Sequence, residues 1–196
     1  MITSIRAFRE DDVPNKVRWI NDDRNNRYLH YDLPLSLEGT YRWYHKNKQL
    51  SDRYDAVIEY DHKPVGVIGL LSIGDGRAEY YITLGEQEYK GKGIAKEATR
   101  LLLCYAFTEL ELSEVYLYTE VDNTGAQMLF EKCGFRKGNL LKGSAFNRGV
   151  PVDRFYYAIT AEEFMKYREL AWINRGGVKL HRFTCSSDSI YTRWAA

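Results

Sequence analysis

The stretch "EYKGKGIAKEA", residues 88–98, decides how this chain is read. It follows "AEYYITL" (78–84), whose alternation predicts a strand, and it opens a segment in which Ile94, Ala98, Leu101, Leu102 and Tyr105 recur at helical spacing. A strand, a turn of Lys90, Gly91, Lys92 and Gly93, and then an amphipathic helix of about five turns is an arrangement that presents amides to phosphate. Glycine lets the backbone approach closely, first-turn N–H groups lack helical acceptors, and the helix dipole adds about half a positive charge. Two common phosphate loops are excluded residue by residue. The pattern G-x-x-x-x-G-K-[ST] is absent, and G-x-G-x-x-G fails because Lys96 stands where its third glycine belongs.

Outward from this turn, three runs read as an antiparallel meander: "YDAVIEYD", "VGVIGLLSI" and "AEYYITL", joined by turns at "HKP" and "GDGR". "TSIRAFR" (3–9) alternates like a half-buried strand, and "EDDVPNKVRWIND" reads as a short helix with acidic residues and a proline in its first turn. A further helix runs through "SLEGTYRWYHKNKQL" with Ser36 as N-cap. Downstream, "SEVYLYTEV" is a strand, "TGAQMLFEKCGF" a helix stopped by Gly134, and "DRFYYAI" a closing strand. Strand, helix and strand across 78–121 imply one parallel pair with a right-handed crossover inside an otherwise antiparallel sheet. The tail from about Ala171 lacks periodicity and is read as an extra strand, a partner contact or an ordered end.

The chain has 196 residues, 44% hydrophobic and 28% charged, which suits one globular domain. Lysine plus arginine (28) balance aspartate plus glutamate (27), so no overall field points to nucleic acid or a membrane surface, and any anion site is local. Three cysteines (Cys104, Cys133, Cys185), odd in number and without metal-knuckle spacing, argue for reduced thiols and no metal. With no signal segment or long apolar run, the expected setting is cytoplasmic, as a monomer or homodimer. Sixteen tyrosines are compatible with amphipathic cover for a sheet or with a substrate cleft.

Lys90-Gly91-Lys92-Gly93-Ile94-Ala95 resembles the R/Q-x-x-G-x-G/A signature of the GNAT superfamily of N-acetyltransferases. Four flanking segments resemble the same family in the right order: "LSLEGTYRWYHK", "AEYYITLGEQEYKGKG", "DNTGAQMLFEKCGFRKGNL" and "GVPVDRFYYAI". The second of these resembles the fourth strand and its bulge in the branch that holds ribosomal-protein alanine, spermidine and some nucleotide-sugar acetyltransferases. The resemblance covers roughly residues 3–160 and implies an α+β (mixed α/β) fold, mostly antiparallel, with one splayed parallel strand pair and helices on both faces. It divides the chain into a transferase domain, 1–170, and an extension, 171–196.

What it implies chemically is acetyl transfer from acetyl-CoA to a primary amine of an amino sugar, a polyamine or a protein N-terminus. A CoA-binding protein without transfer activity and a protein-interaction module are the alternatives. Gly91, Gly93, Ile94 and Ala95, with Lys90, Lys92 and Lys96, would hold the pyrophosphate. Ile82, Thr83 and Leu84 would pair with pantetheine along an edge freed by a bulge near Gly85, one N–H facing the oxyanion. Asn123, Phe130 and Lys132 would line the pantetheine. Glu79 is the candidate base, with Glu120 as runner-up. Relatives carry a tyrosine where this chain has Phe130, so water or the hydroxyl of Tyr156 or Tyr157 is left to protonate the leaving thiolate. The acceptor cleft would draw on Trp19, Asn21, Asp22, Tyr28, His30, Tyr41, Trp43, Tyr44 and His45. Asp22 and Asp23 beside aromatic rings suit a cationic amine. Cys133 reads as a core thiol.

Overall fold

The computed structural model describes residues 2–166, 184–186 and 189–191. Its strands are β1 (Thr3–Ala7), β2 (Tyr54–Tyr60), β3 (Lys63–Gly74), β4 (Arg77–Leu84), β5 (Glu114–Glu120), β6 (Arg136–Asn147), β7 (Val150–Thr160), β8 (Thr184–Ser186) and β9 (Ser189–Tyr191). The helices are α1 (Val13–Asn21), α2 (Asp23–Asn26), α3 (Leu37–Asn47), α4 (Ile94–Thr108) and α5 (Thr124–Lys132), with a last one, α6, over 161–166. One sheet runs β6-β7-β5-β4-β3-β2-β1-β9-β8. Every described pairing is antiparallel except β4 with β5.

The meander forms as its alternation predicts. Asp61 and His62 turn β2 into β3, and Asp75 and Gly76 turn β3 into β4; all four have positive φ, the backbone that a two-residue hairpin demands. Ser36 caps α3, its Oγ accepting from Gly39 N at 3.0 Å. Helix α4 has 15 residues, about four turns rather than five, because Gly91 to Gly93 stay outside it. Its face of Ile94, Ala98, Leu101 and Leu102 is buried against Ile68, Leu70, Ala78 and Leu117 of the sheet.

Two expectations change. The segment 136–147 is a 12-residue edge strand, most of its side chains exposed; burying so little, it carries no period-2 signal. A bulge does exist near Gly85: Gly85 N and Glu86 N both donate to Val65 O, at 2.8 and 3.1 Å. It ends the pairing of β4 with β3, however, whereas β4 has parted from β5 well before it. Of the tail, six residues are described, extending the sheet beyond β1; the boundary placed at residue 170 lies outside the described residues.

Candidate functional site

The parallel ladder is only three pairs long: Arg77 with Glu114, Ala78 with Val115, Glu79 with Tyr116. Beyond it β4 stays attached to β3 as far as Leu84, and β5 to β7 as far as Glu120. Two inner edges therefore open onto a cleft of about 1290 Å³, lined by Ile82, Thr83 and Leu84 on one side and by Leu117, Tyr118, Thr119 and Glu120 on the other. Unpaired strand edges offer backbone groups to any extended chain of amides laid between them.

At one end of the cleft stands the N-terminus of α4. Gly91 (φ 77) and Gly93 (φ 81) hold left-handed conformations, and a Cβ at either would meet nothing within 4 Å. Space is thus not what requires glycine here; the backbone angle is, since other residues are strained at these angles. The helix starts are capped differently, with α1, like α4, lacking a side-chain cap bond but carrying Pro14 in its first turn. Asp22, Ser36 and Asn123 satisfy the starts of α2, α3 and α5 with their side chains, whereas Gly93 leaves the first turn of α4 without a side-chain cap. Uncapped amides at the start of a four-turn helix, with lysines beside them, fit a pyrophosphate. Gly91, Gly93, Ile94, Ala95, Lys96 and Lys90 line the cleft; Lys92 lies outside its lining, with Nζ 5.1 Å from the Tyr89 ring centre. Lys90 is tied down, Nζ donating to Asn25 Oδ1 at 2.7 Å, and burial lowers its pKa. Asn123, Phe130 and Lys132 line the same cleft from α5.

Glu79 sits at the fork, as the last residue of β4 paired with β5. Strand alternation turns Ala78 and Tyr80 into the core and Glu79 and Tyr81 to the opposite face, where Glu79 is half-buried and lines the cleft. Burial pushes its pKa up, against the pull of Arg154. Glu120, the other carboxylate considered, is locked: Asn147 Nδ2 donates to its Oε1 at 2.5 Å and His30 Nε2 lies 2.8 Å from the same atom.

Tyr28, His30 and Trp43 reach the cleft, with the Tyr28 hydroxyl donating to Asp122 O at 3.1 Å. The other expected acceptor residues stand elsewhere. Trp19 is 1% exposed and packs over Gly85, where any Cβ would come within 2.1 Å of its ring. Asn21 clamps the backbone of Leu35, donating to its O and accepting from its N. Asp22 caps α2 and pairs with Arg24, which lowers its pKa to about 2. Tyr44 packs on Phe8, His45 pairs with Glu10, and Tyr41 is outside the lining. The two tyrosines considered for the leaving thiolate are committed too: Tyr157 donates to Glu131 at 2.9 Å and Tyr156 to Glu114 at 3.1 Å. Cys133 is fully buried and burial pushes its thiol up to about 11, so it is a core residue. Among the described residues no group of acidic, histidine or cysteine side chains could hold a metal, and no helix is long and apolar enough to cross a membrane.

Residues 3–136 match the model of the acetyltransferase (GNAT) domain. The chain belongs to the GNAT acetyltransferase family. A putative ribosomal N-acetyltransferase of Bacillus subtilis is 29% identical over 82% of this chain and 92% of its own. A spermidine N(1)-acetyltransferase of Vibrio cholerae is 30% identical over 78% and 91%. The solved structure of the Vibrio cholerae spermidine N-acetyltransferase with CoA and spermine superposes with a TM-score of 0.77 at 26% identity, covering 83% of this chain and 98% of that one. The protein is an acetyl-CoA-dependent N-acetyltransferase that acts on amines.

In this GNAT enzyme the cleft contains groups that sequence reasoning missed. Lys16, Tyr31, Arg53, Asp55 and Tyr81 are among its lining. The Asp55 carboxylate accepts from Arg53 Nε at 2.7 Å, from Arg53 Nη2 at 2.9 Å and from the Tyr81 hydroxyl at 2.5 Å. A signal for Lys16 was present: it stands three residues after Val13 and four before Ile20, on the apolar face of α1. Thr119 had none. Its Oγ1 is, among the described residues, the buried side-chain polar atom without a hydrogen-bond partner, and it lines the same gap as Phe130.

Proposed function

We propose that this chain acetylates a primary amine, of a small molecule or of a protein N-terminus, by direct attack in a ternary complex with Glu79 as base. The observation that carries it is the position of Glu79 at the fork of β4 and β5, half-buried and with a raised pKa. A carboxylate there accepts a proton from an incoming ammonium more readily than a solvated one does. Acetyl-CoA supplies the acetyl group as a thioester. The amides of Gly91 to Lys96 hold its pyrophosphate, and the free edge at Ile82 to Leu84 pairs with pantetheine and offers an N–H to the carbonyl oxygen. Thr119 Oγ1 donates a hydrogen bond to the departing sulfur in place of the hydroxyl that Phe130 lacks. A thiol with a pKa near 8.5 needs no stronger acid.

Spermidine is the acceptor named for one relative, another is named a putative ribosomal N-acetyltransferase, and amino sugars share the reactive group. The acting unit in this reading is a monomer or homodimer. The buried thiol of Cys133 supports a reducing, cytoplasmic setting. Residues 1–170 act as the transferase domain in this reading, with 171–196 as an extension. The test is thiol release from acetyl-CoA with polyamines, amino sugars and N-terminal peptides, read with mass gain of one acetyl group. Thiol release that no amine accelerates would overturn the reading.

A further inference from the structure

Lys16 lines the cleft, and among the described residues no hydrogen bond or ion pair answers its charge. Val13, Lys16 and Ile20 share the buried face of α1, so a lysine occupies a place where the helix calls for an apolar side chain. It is 4% exposed. Its Nζ lies 3.2 Å from the Trp43 ring centre and 5.6 Å from that of Phe8, and among the described residues it has neither a hydrogen bond nor an ion pair. Asp55 pulls on it only at longer range, its oxygens being engaged by Arg53 and Tyr81. This corner therefore holds two cations, Lys16 and Arg53, against one carboxylate, and it opens into the same cleft as Glu79.

We propose that this corner binds an anionic group of the acceptor, so that the substrate is a primary amine that also carries a carboxylate or a phosphate. The amine end faces Glu79, the anion meets Lys16, and Trp43 and Tyr31 line the space beside them. The inference rests on the reading of this cleft as the acceptor site and narrows it. A buried ammonium with only aromatic faces for company is costly, and an arriving oxyanion supplies the charge-assisted bonds it lacks. Burial holds the Lys16 pKa down at about 7, which disfavours the charged form that an arriving anion would stabilise. Polyamines are disfavoured by the same corner, since a second ammonium would be set against Lys16 and Arg53.

The experiment compares matched acceptors at fixed acetyl-CoA: 4-aminobutyrate, 1-aminobutane and 1,4-diaminobutane in one series, aminoethyl phosphate and ethanolamine in another. The two series separate a carboxylate from a phosphate. Relative kcat/KM is measured for the natural protein, Lys16→Met and Lys16→Arg, and binding of the same amines to the CoA-loaded proteins is measured by calorimetry. The expected result is a preference of about tenfold or more for an anionic member over its neutral partner. It should fall to within about twofold in Lys16→Met and largely persist in Lys16→Arg. Equal or better use of the diamine by the natural protein, or an unchanged preference in Lys16→Met, would overturn the proposal. Turnover without the preference leaves the Glu79 reading standing and removes this one; a Lys16-dependent binding preference without turnover does the reverse.

Discussion

Lys16→Met should make the folded chain more stable, and by an amount that depends on pH in a way few substitutions do. The folded protein holds the Lys16 proton with a pKa of about 7, against an ordinary 10.5 in the unfolded chain. Between these values the unfolded state binds more protons, so the contribution of Lys16 to stability improves as pH rises. Below about pH 7 both states carry the charge and the full cost of burying it is present. Above about pH 10.5 both are neutral and the cost has gone. The interval, 10.5 − 7 = 3.5, at about 1.36 kcal/mol per pH unit sets that cost at about 4 to 5 kcal/mol. Methionine keeps the length and the apolar stem over Trp43 without the charge. The variant should therefore exceed the natural protein by about 4 kcal/mol at pH 6, with the gap closing towards pH 10. Urea unfolding at pH 6, 8 and 10 measures it, and because other groups titrate alike in both proteins, the difference isolates this one. A gap that does not change with pH, or a natural protein that is the more stable at pH 6, would refute the reasoning.

Gly93→Val should remove coenzyme-dependent stabilisation: acetyl-CoA at about 100 times its dissociation constant adds about 2.7 kcal/mol to the natural protein, and a branched side chain at φ 81 on the first turn of α4 denies that site. Equal melting shifts in the two proteins would show that the pyrophosphate lies elsewhere. Glu79→Gln should lower kcat by about 10² to 10⁴-fold with coenzyme affinity unchanged, and the loss should shrink as pH approaches the pKa of the amine. Since the Glu79 pKa is raised above 4.5, the acid limb of the natural pH profile should lie above that value as well, and full activity in the variant sinks the assignment. Thr119→Val should cut kcat about tenfold while the ligand-free protein melts no lower, because the hydroxyl removed has no partner to lose; Thr119→Ser should restore the rate. A lower melting temperature with kcat intact would make Thr119 a structural residue only.

Most of the sheet was readable because its strands obey one rule at a time. β2, β3 and β4 are short, apolar and separated by turns whose residues tolerate positive φ, so period and punctuation agree. Helix α4 was readable for the same reason, since two glycines and a 3.6-residue apolar period mark its start from both sides. β6 escaped because an edge strand with mostly exposed side chains has no buried face to impose a pattern, and its hydrogen bonds to β7 are invisible in composition. The parting of β4 from β5 follows from the family resemblance, but its position at Glu79 depends on where two strands far apart in sequence stop meeting.

The acceptor end shows why residue type alone misassigns a cleft. Trp19 and Trp43 are both aromatic residues of early helices, yet one fills the hollow over Gly85 and the other lines the cavity; what separates them is the tertiary position of a glycine 66 residues further on. Asp22 looked like the acid for a cationic amine, and its carboxylate is spent on the α2 cap and Arg24. Lys16 becomes informative only when its neighbours are known to be two aromatic rings and an aspartate already engaged. Charge in this cleft is therefore set by what remains after pairing. Asp22, Asp55 and Glu120 are engaged within the protein, which leaves Glu79 with a raised pKa at the fork and Lys16 with a depressed one at the far wall. Two groups displaced in opposite directions suit a substrate that brings opposite charges to them, an ammonium that must lose its proton and an anion that must not.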